Sequence, residues 1–258
     1  MRRFRLLLEF DGTPFHGFQY QDGLPTVQGA IQDALKTLAN EEITSFEMAG
    51  RTDAGVHALG MVCHVDLNNK KLKLINILDG LNCLLRPHIA VREVAHVSED
   101  FQARFKAEAR HYHYKVLNRR APSPVYEGRA AHVKYPLDVE LMRREAAVLV
   151  GRHDFSAFRS VECQAKSPVT EVLHLNIRQE GELLTFDIKG VAFLHNMVRI
   201  IVGTLIDIGR GQLPEGTMQH LLDVKKRTSG GQTMPPYGLY FYEVTYPEDG
   251  YTVFQTCR

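Results

Sequence analysis

Ala49-Gly50-Arg51-Thr52-Asp53-Ala54-Gly55-Val56-His57-Ala58-Leu59-Gly60 is the stretch from which the rest of the chain is read. It holds three glycines, an Arg and an Asp two residues apart, and a His. An alternating run follows, Met61-Val62-Cys63-His64-Val65-Asp66-Leu67. That alternation predicts a half-buried strand with Met61, Cys63, Val65 and Leu67 on one face. Glycine in a strand or helix interior adds backbone entropy to be lost on folding. Gly50, Gly55 and Gly60 therefore predict a tight loop feeding the strand. Asp53 on that loop has two readings: a turn aspartate bonding its own backbone, or a carboxylate presented at the rim of a sheet. Arg51 is close enough in sequence to keep such a carboxylate ionised.

Gly-Arg-Thr-Asp-Ala-Gly-Val-His-Ala over residues 50–58 resembles the active-site motif of the tRNA pseudouridine synthase A (TruA) family. In that family the motif's Asp, here Asp53, is the catalytic nucleophile. Further motifs carry the resemblance along nearly the whole chain. Asp11-Gly12-Thr13 is followed by Phe15-His16-Gly17-Phe18-Gln19, an aromatic segment with a central Gly. The family often has Trp where this chain has Phe18, a swap that keeps a flat ring and loses an N–H donor. Phe101, Ala103, Arg104, Ala107, Arg110, Tyr112 and Tyr114 match a second family pattern, whose first Tyr, here Tyr112, lies in the active site. Tyr237-Gly238-Leu239-Tyr240 matches near the end, and Leu239 resembles the family residue that packs on the target base. From the residues alone, Tyr112 reads first as a core strand Tyr, and Leu239 reads equally as a core strand Leu.

Composition bounds the answer in the same direction. The chain has 258 residues, enough for one large or two medium domains, with 44% apolar and 24% charged residues. No stretch has the length and apolarity of a membrane span, and the start, Met1-Arg2-Arg3-Phe4-Arg5, does not read as a signal peptide. Cys63, Cys83, Cys163 and Cys257 share no metal spacing and predict reduced thiols in a cytoplasmic protein. The formal net charge is only +1. A nucleic-acid binder of this composition has to concentrate its basic residues locally. Among the basic clusters, Arg110-His111-Tyr112-His113-Tyr114-Lys115 stands out for its interleaved aromatics.

Taken in order, the pattern predicts a buried strand at 5–10, a turn at 11–14 and a helix over 27–39 capped by Thr26. After the 61–67 strand come a polar turn at 68–71, a helix carrying Ile75, Leu78 and Leu81, and a strand at 89–97. A strand at 110–117 places Tyr112, Tyr114 and Val116 on one face and His111, His113 and Lys115 on the other. Asp138 is expected to cap a helix running to Val150. Asp154–Arg159 reads as polar loop. Glu180-Gly181 predicts a hairpin. A helix is expected to open at Phe193 with an apolar stripe from Leu194 to Leu205. Arg199 flanks that stripe, and a half-buried Arg calls for an acidic or phosphate partner. Pro214 starts a last helix, Ser229–Pro236 reads as a mobile loop, and 239–246 as the final strand with a short tail.

This alternation predicts two α+β domains, 1–106 carrying the Asp53 loop and 107–258, sharing an active-site cleft. The resemblance implies largely antiparallel sheets flanked by helices in each domain, a pseudouridine synthase-like fold and a homodimer. It implies an isomerase that converts uridine to pseudouridine in the anticodon stem-loop of tRNA, at positions 38, 39 and 40. Such chemistry needs no redox partner and no cofactor, and the sequence offers no P-loop, no GxGxxG after a strand and no recognisable metal spacing. Arg199 is the first choice for the cation that keeps Asp53 ionised, with Arg51 as helper or phosphate contact. Tyr112 and Leu239 are the expected contacts of the flipped base. Two other readings compete. One is a tRNA-binding or folding module without catalysis, against which the intact Asp53 and Arg51 speak. The other is a metal-dependent hydrolase on His111 and His113, disfavoured because the pair faces away from Tyr112 and has basic neighbours.

Overall fold

The structure, a computed structural model, describes residues 1–248 and 250–258. In chain order its elements are β1 (Arg2–Phe10), α1 (Val27–Ala39), β2 (Phe46–Met48), β3 (His57–Leu67), α2 (Leu74–Leu84), β4 (Ile89–Val97), β5 (Ala109–Asn118) and β6 (Ala131–Val133). They continue as α3 (Val139–Ala147), β7 (Gly151–Asp154), β8 (Val169–Glu180), β9 (Leu183–Gly190), α4 (Met197–Gly209), α5 (Thr217–Val224), β10 (Leu239–Thr245) and β11 (Val253–Cys257). The class is α+β, with helices flanking strands that pair mostly antiparallel. Two compact units divide the chain, Met1–Arg110 with Phe241–Arg258, and His111–Tyr240. A boundary at 106 assigns the tail to the second half. In the structure the tail belongs to the first unit, because β11 pairs antiparallel with β4, Thr256 opposite Ala95.

In the first unit the strands lie in the order β11-β4-β1-β3, with β2 also paired to β3. Alternation in β1 buries Phe4, Leu6, Leu8 and Phe10. The opposite face carries Arg3 and Arg5. Register sets Arg3 across from Asp66, and the two side chains form a bidentate pair at 2.7 and 2.8 Å. β3 departs from the half-buried strand expected of it. Met61, Cys63, Val65 and Leu67 are fully buried, and so is His64 on the other face. That second face is covered by residues near 101–103: Phe101 packs edge-on to the His64 ring, and the Ala103 N–H donates to His64 Nδ1 at 3.1 Å. Gly60 lies inside β3 rather than in the loop. A Cβ there would come within 2.3 Å of the Tyr242 carbonyl oxygen, so glycine serves close strand approach. Helix α1 matches its expected span, and the Thr26 hydroxyl accepts from the Gly29 N–H.

In the second unit β5, β9, β8 and β7 are successive neighbours, and β6 joins β5 in parallel. The β8–β9 hairpin turns at Gly181, φ +61°. Asp138 caps α3 as expected, but the helix ends at Ala147, three residues early. Helix α4 begins at Met197 and not at Phe193, because Asn196 takes φ +62° at its N-cap. Every α4 residue except Arg199 is buried, so the helix is enclosed on all sides rather than along one stripe.

The 229–236 segment is part of that enclosure, and this corrects its reading as a mobile loop. The Gly231 N–H donates to Thr204 Oγ1 at 3.1 Å, the Gln232 N–H to Asp207 Oδ2 at 3.3 Å, and the Met234 N–H to the Arg199 carbonyl at 3.2 Å. Gly203 makes the approach possible, since a Cβ there would lie 1.9 Å from the Gln232 carbonyl oxygen. Overpacking of this kind costs about 1–3 kcal/mol. Gly203→Ala should therefore lower the melting temperature by several degrees and open 229–236 to limited proteolysis. An unchanged melting temperature and digestion pattern would show that the segment is not held by α4.

Candidate active site

The Asp53 loop is the connection between β2 and β3, which pair antiparallel with Met48 opposite Cys63. The Ala49 N–H donates to the Val62 carbonyl at 2.8 Å and anchors the start of the loop. Inside it, the Val56 N–H donates to the Asp53 carbonyl at 3.2 Å, and Gly55 takes φ +77°. Asp53 is half-buried between buried Thr52 and exposed Ala54.

A second loop, 11–18, holds the first in place through backbone contact. The Phe18 N–H donates to the Thr52 carbonyl at 3.1 Å. The Gly12 N–H donates to Nδ1 of buried His57 at 3.1 Å, and Asp11 Oδ1 lies 3.2 Å from the same nitrogen. A Cβ on residue 12 would sit 2.0 Å from the Val56 carbonyl oxygen. One on residue 17, where φ is +92°, would sit 2.8 Å from the Thr52 carbonyl oxygen. The sequence marked Asp11-Gly12-Thr13 and Gly17 as motif residues without their task, which is to let two backbones touch. Phe18 is a core residue, fully buried with ring centroids 5.7 Å from Phe10 and 6.3 Å from Phe46.

Arg51 is exposed and forms no hydrogen bond or ion pair among the described residues, so the structure does not bring it to Asp53 as an ion-pair helper. Arg110, which sequence reasoning matched but gave no role, grips the loop's base. Its Nε and Nη2 each donate to the Ala49 carbonyl at 3.2 Å, Nη1 to Ala107 at 3.0 Å and Nη2 to Arg104 at 2.6 Å.

The remaining expected site residues belong to the second unit. Tyr112 on β5 is 8% exposed, with the Phe193 ring edge-on at 5.0 Å. Arg199 is half-buried at the start of α4, and the expected acidic partner is met by neutral acceptors in two of its bonds: Nε donates to the Met234 carbonyl at 2.6 Å and Nη1 to Asn196 Oδ1 at 2.7 Å. Leu239 is buried at the first position of β10. Neighbouring Tyr114 is fully buried and donates from its hydroxyl to the Pro235 carbonyl at 2.7 Å. Burial pushes that hydroxyl's pKa well up. His111, His113 and Asp187 are the one group of three or more metal-ligating side chains gathered together among the described residues.

A family model described as tRNA pseudouridine synthase matches residues 7–106 and 146–247, which sets the class of enzyme. A tRNA pseudouridine synthase A from Afipia carboxidovorans is 46% identical, over 95% of this chain and 100% of its own. Those of Gluconobacter oxydans and Agrobacterium fabrum are 43% and 42% identical over 96% of this chain, and over 91% and 94% of theirs. The chain belongs to the tRNA pseudouridine synthase A family.

Two buried histidines give the molecule an acid-side weakness. Burial, helped by the charge of Arg3, lowers the His64 pKa from 6.5 to about 4. Burial likewise brings His113 to about 4, against the opposing pull of Asp187. A folded pKa below the unfolded one means that the unfolded chain takes the proton first. Stability is then complete above pH 6.5 and falls as the pH drops from 6.5 toward 4, by up to about 1.4 kcal/mol per pH unit for each group. Thermal melts across that window should show the decline. His64→Gln, which keeps an acceptor for the Ala103 N–H, should flatten part of it. A slope identical in wild type and variant would assign the loss elsewhere.

Proposed function

We propose that this chain converts uridine to pseudouridine in the anticodon stem-loop of tRNA, at positions 38, 39 and 40, with Asp53 as its nucleophile. The observation that carries this reading is the intact 50–58 motif, with its half-buried Asp held on a loop braced by backbone contact, in a chain that aligns end to end with its relatives. The reaction breaks N1–C1′ and forms C5–C1′; the proton lost from C5 is balanced by one gained at N1. No electrons change hands, and one carboxylate suffices. It can attack the ribose, attack the base, or take a proton from the ribose. Arg199 is the cation proposed to keep Asp53 ionised. Tyr112 and Leu239 are proposed to hold the base once it leaves the stack, a step that costs a few kcal/mol.

Arg51, exposed and without a protein partner among the described residues, fits a phosphate contact. The assembly proposed is a homodimer and the compartment the cytoplasm, in keeping with four free cysteines. No described helix is long and apolar enough to cross a membrane. A binding module without catalysis would have no use for a carboxylate presented to a polyanion, which favours the enzyme.

Asp53→Asn separates the two. Asn preserves size and turn-forming hydrogen bonds and removes the nucleophile. Pseudouridine formation should vanish while melting temperature and tRNA affinity stay near wild type, with affinity rising slightly as one negative charge is lost. Normal product yield would sink the mechanism, and a collapsed melting temperature would make Asp53 structural. Binding itself should weaken steeply between low and physiological salt, because each phosphate contact releases counterions. A flat salt dependence would count against an RNA substrate.

A further inference from the structure

Strands β5, β9 and β8 are consecutive neighbours, and one face of them gathers imidazoles around a single carboxylate. His111 and His113 project from β5, Asp187 from β9 and His174 from β8, where Asn176 is the direct partner of Asp187. All three imidazoles direct Nε2 at Asp187. That of His111 bonds Oδ1. Those of His113 and His174 lie 3.7 Å from Oδ2 and Oδ1 respectively. A distance of 3.7 Å is too long for a hydrogen bond. It is close to the separation of ligand atoms around a tetrahedral ion, about 3.4 Å for bonds of about 2.0–2.1 Å. The donor atoms of His111, His113 and Asp187 all fall within 4.8 Å of one another.

We propose that His111, His113 and Asp187 form a binding site for a divalent transition metal of the zinc class, with His174, which stands outside the group of ligand atoms within 4.8 Å of one another, turning its half-exposed side chain in as fourth ligand. Two or three imidazoles and one carboxylate are a donor set that such ions favour over calcium or magnesium. His113 is buried, with its Nε2 turned toward Asp187. His174 is half-exposed and gives an ion its way in. Two contacts have to give way to an ion: the direct hydrogen bond between His111 Nε2 and Asp187 Oδ1, and Arg178, whose Nη2 lies 3.6 Å from Asp187 Oδ2. The Arg178 side chain is 48% exposed, so it can swing into water when an ion takes its place. Lys115, the other cation on this face of β5, has its Nζ over the Tyr240 ring at 4.4 Å. A bound ion would staple three strands and fix β5 on both sides of Tyr112.

The test uses full-length protein stripped with chelator and titrated with Zn²⁺ by calorimetry and with Co²⁺ by visible absorption. Wild type should take up one ion per chain, show the intense bands of four-coordinate Co²⁺, and melt at a higher temperature with Zn²⁺ present. Changes beyond the ligands cost such sites about 10–100-fold in affinity, so His111→Gln and Asp187→Asn should each cost at least that. Arg178→Gln should bind as tightly as wild type or tighter. His174→Gln, at a half-exposed position with little bearing on folding, should weaken binding at least tenfold and keeps the test open if Asp187→Asn fails to fold. Wild-type binding no tighter than that of His111→Gln and His174→Gln, or no spectral change with Co²⁺, would overturn the site and leave a hydrogen-bonded ion-pair network. Both readouts are independent of RNA modification, so they stand apart from the reaction assigned to Asp53.

Discussion

The Val56 carbonyl oxygen occupies the space that a side chain on residue 12 would need, and the arrangement of the Asp53 loop follows from that contact. Two loops far apart in sequence meet backbone to backbone, with the buried His57 imidazole taking the Gly12 N–H beside them. Buried amides and carbonyls must find partners, and here the loops supply them to each other: Phe18 N–H to Thr52, Gly12 N–H to His57. A change that separated the loops would leave several of these groups unpaired at once. Such groups cost about 1–3 kcal/mol each, so the loop is held as a unit. That is the rigidity the role proposed for Asp53 calls for, since a nucleophile's reach to the reacting atom tolerates little error.

The second unit uses the same device around α4. Gly203 admits the Gln232 carbonyl, and Gly231 brings its own backbone to within contact of Thr204 and Asp207. Enclosure of the helix turns residues 230–234 into its fourth wall and gives Arg199 a backbone acceptor at Met234. Composition misleads at this segment. Ser-Gly-Gly-Gln-Thr-Met-Pro-Pro looks flexible because glycine relaxes the unfolded chain. In the fold Gly231 is there for what it lacks, a Cβ, which would lie 2.7 Å from Asp207 Oδ2 and from the Thr204 Cα.

Periodicity carried the longer elements. The 3.6-residue pattern placed α1 at 27–39, and alternation placed the β8–β9 hairpin and its Gly181 turn. The shortest strands, β2 and β6 at three residues each and β7 at four, were not legible, because so few residues carry no period. They exist by pairing with β3, β5 and β8. β11 was missed for a related reason: its exposed run has no core face of its own and depends on β4 for a partner. At the candidate site the family motifs pointed to Asp53, Tyr112 and Leu239, and the place beside an apolar stripe pointed to Arg199; their roles are the proposed ones. Gly12, Gly17 and Arg110 matched the family as well, yet their work is done on carbonyl oxygens, which carry no sequence signal.

Charge completes the picture around the motif. Arg3 pairs with Asp66, and Arg5 and Arg258 share Glu93, so those guanidiniums serve the first unit's own stability. Around residues 49–60 the pattern changes. Arg110 donates to the Ala49 carbonyl at one end of the stretch, and Arg92 to the Leu59 carbonyl at the other, at 2.8 Å. Carbonyl acceptors fix a guanidinium's position without cancelling its charge. Arg51, between them, has no protein partner among the described residues. A chain with a net charge of +1 thus holds an exposed guanidinium, that of Arg51, within the motif itself, where local positive charge draws in a polyanion.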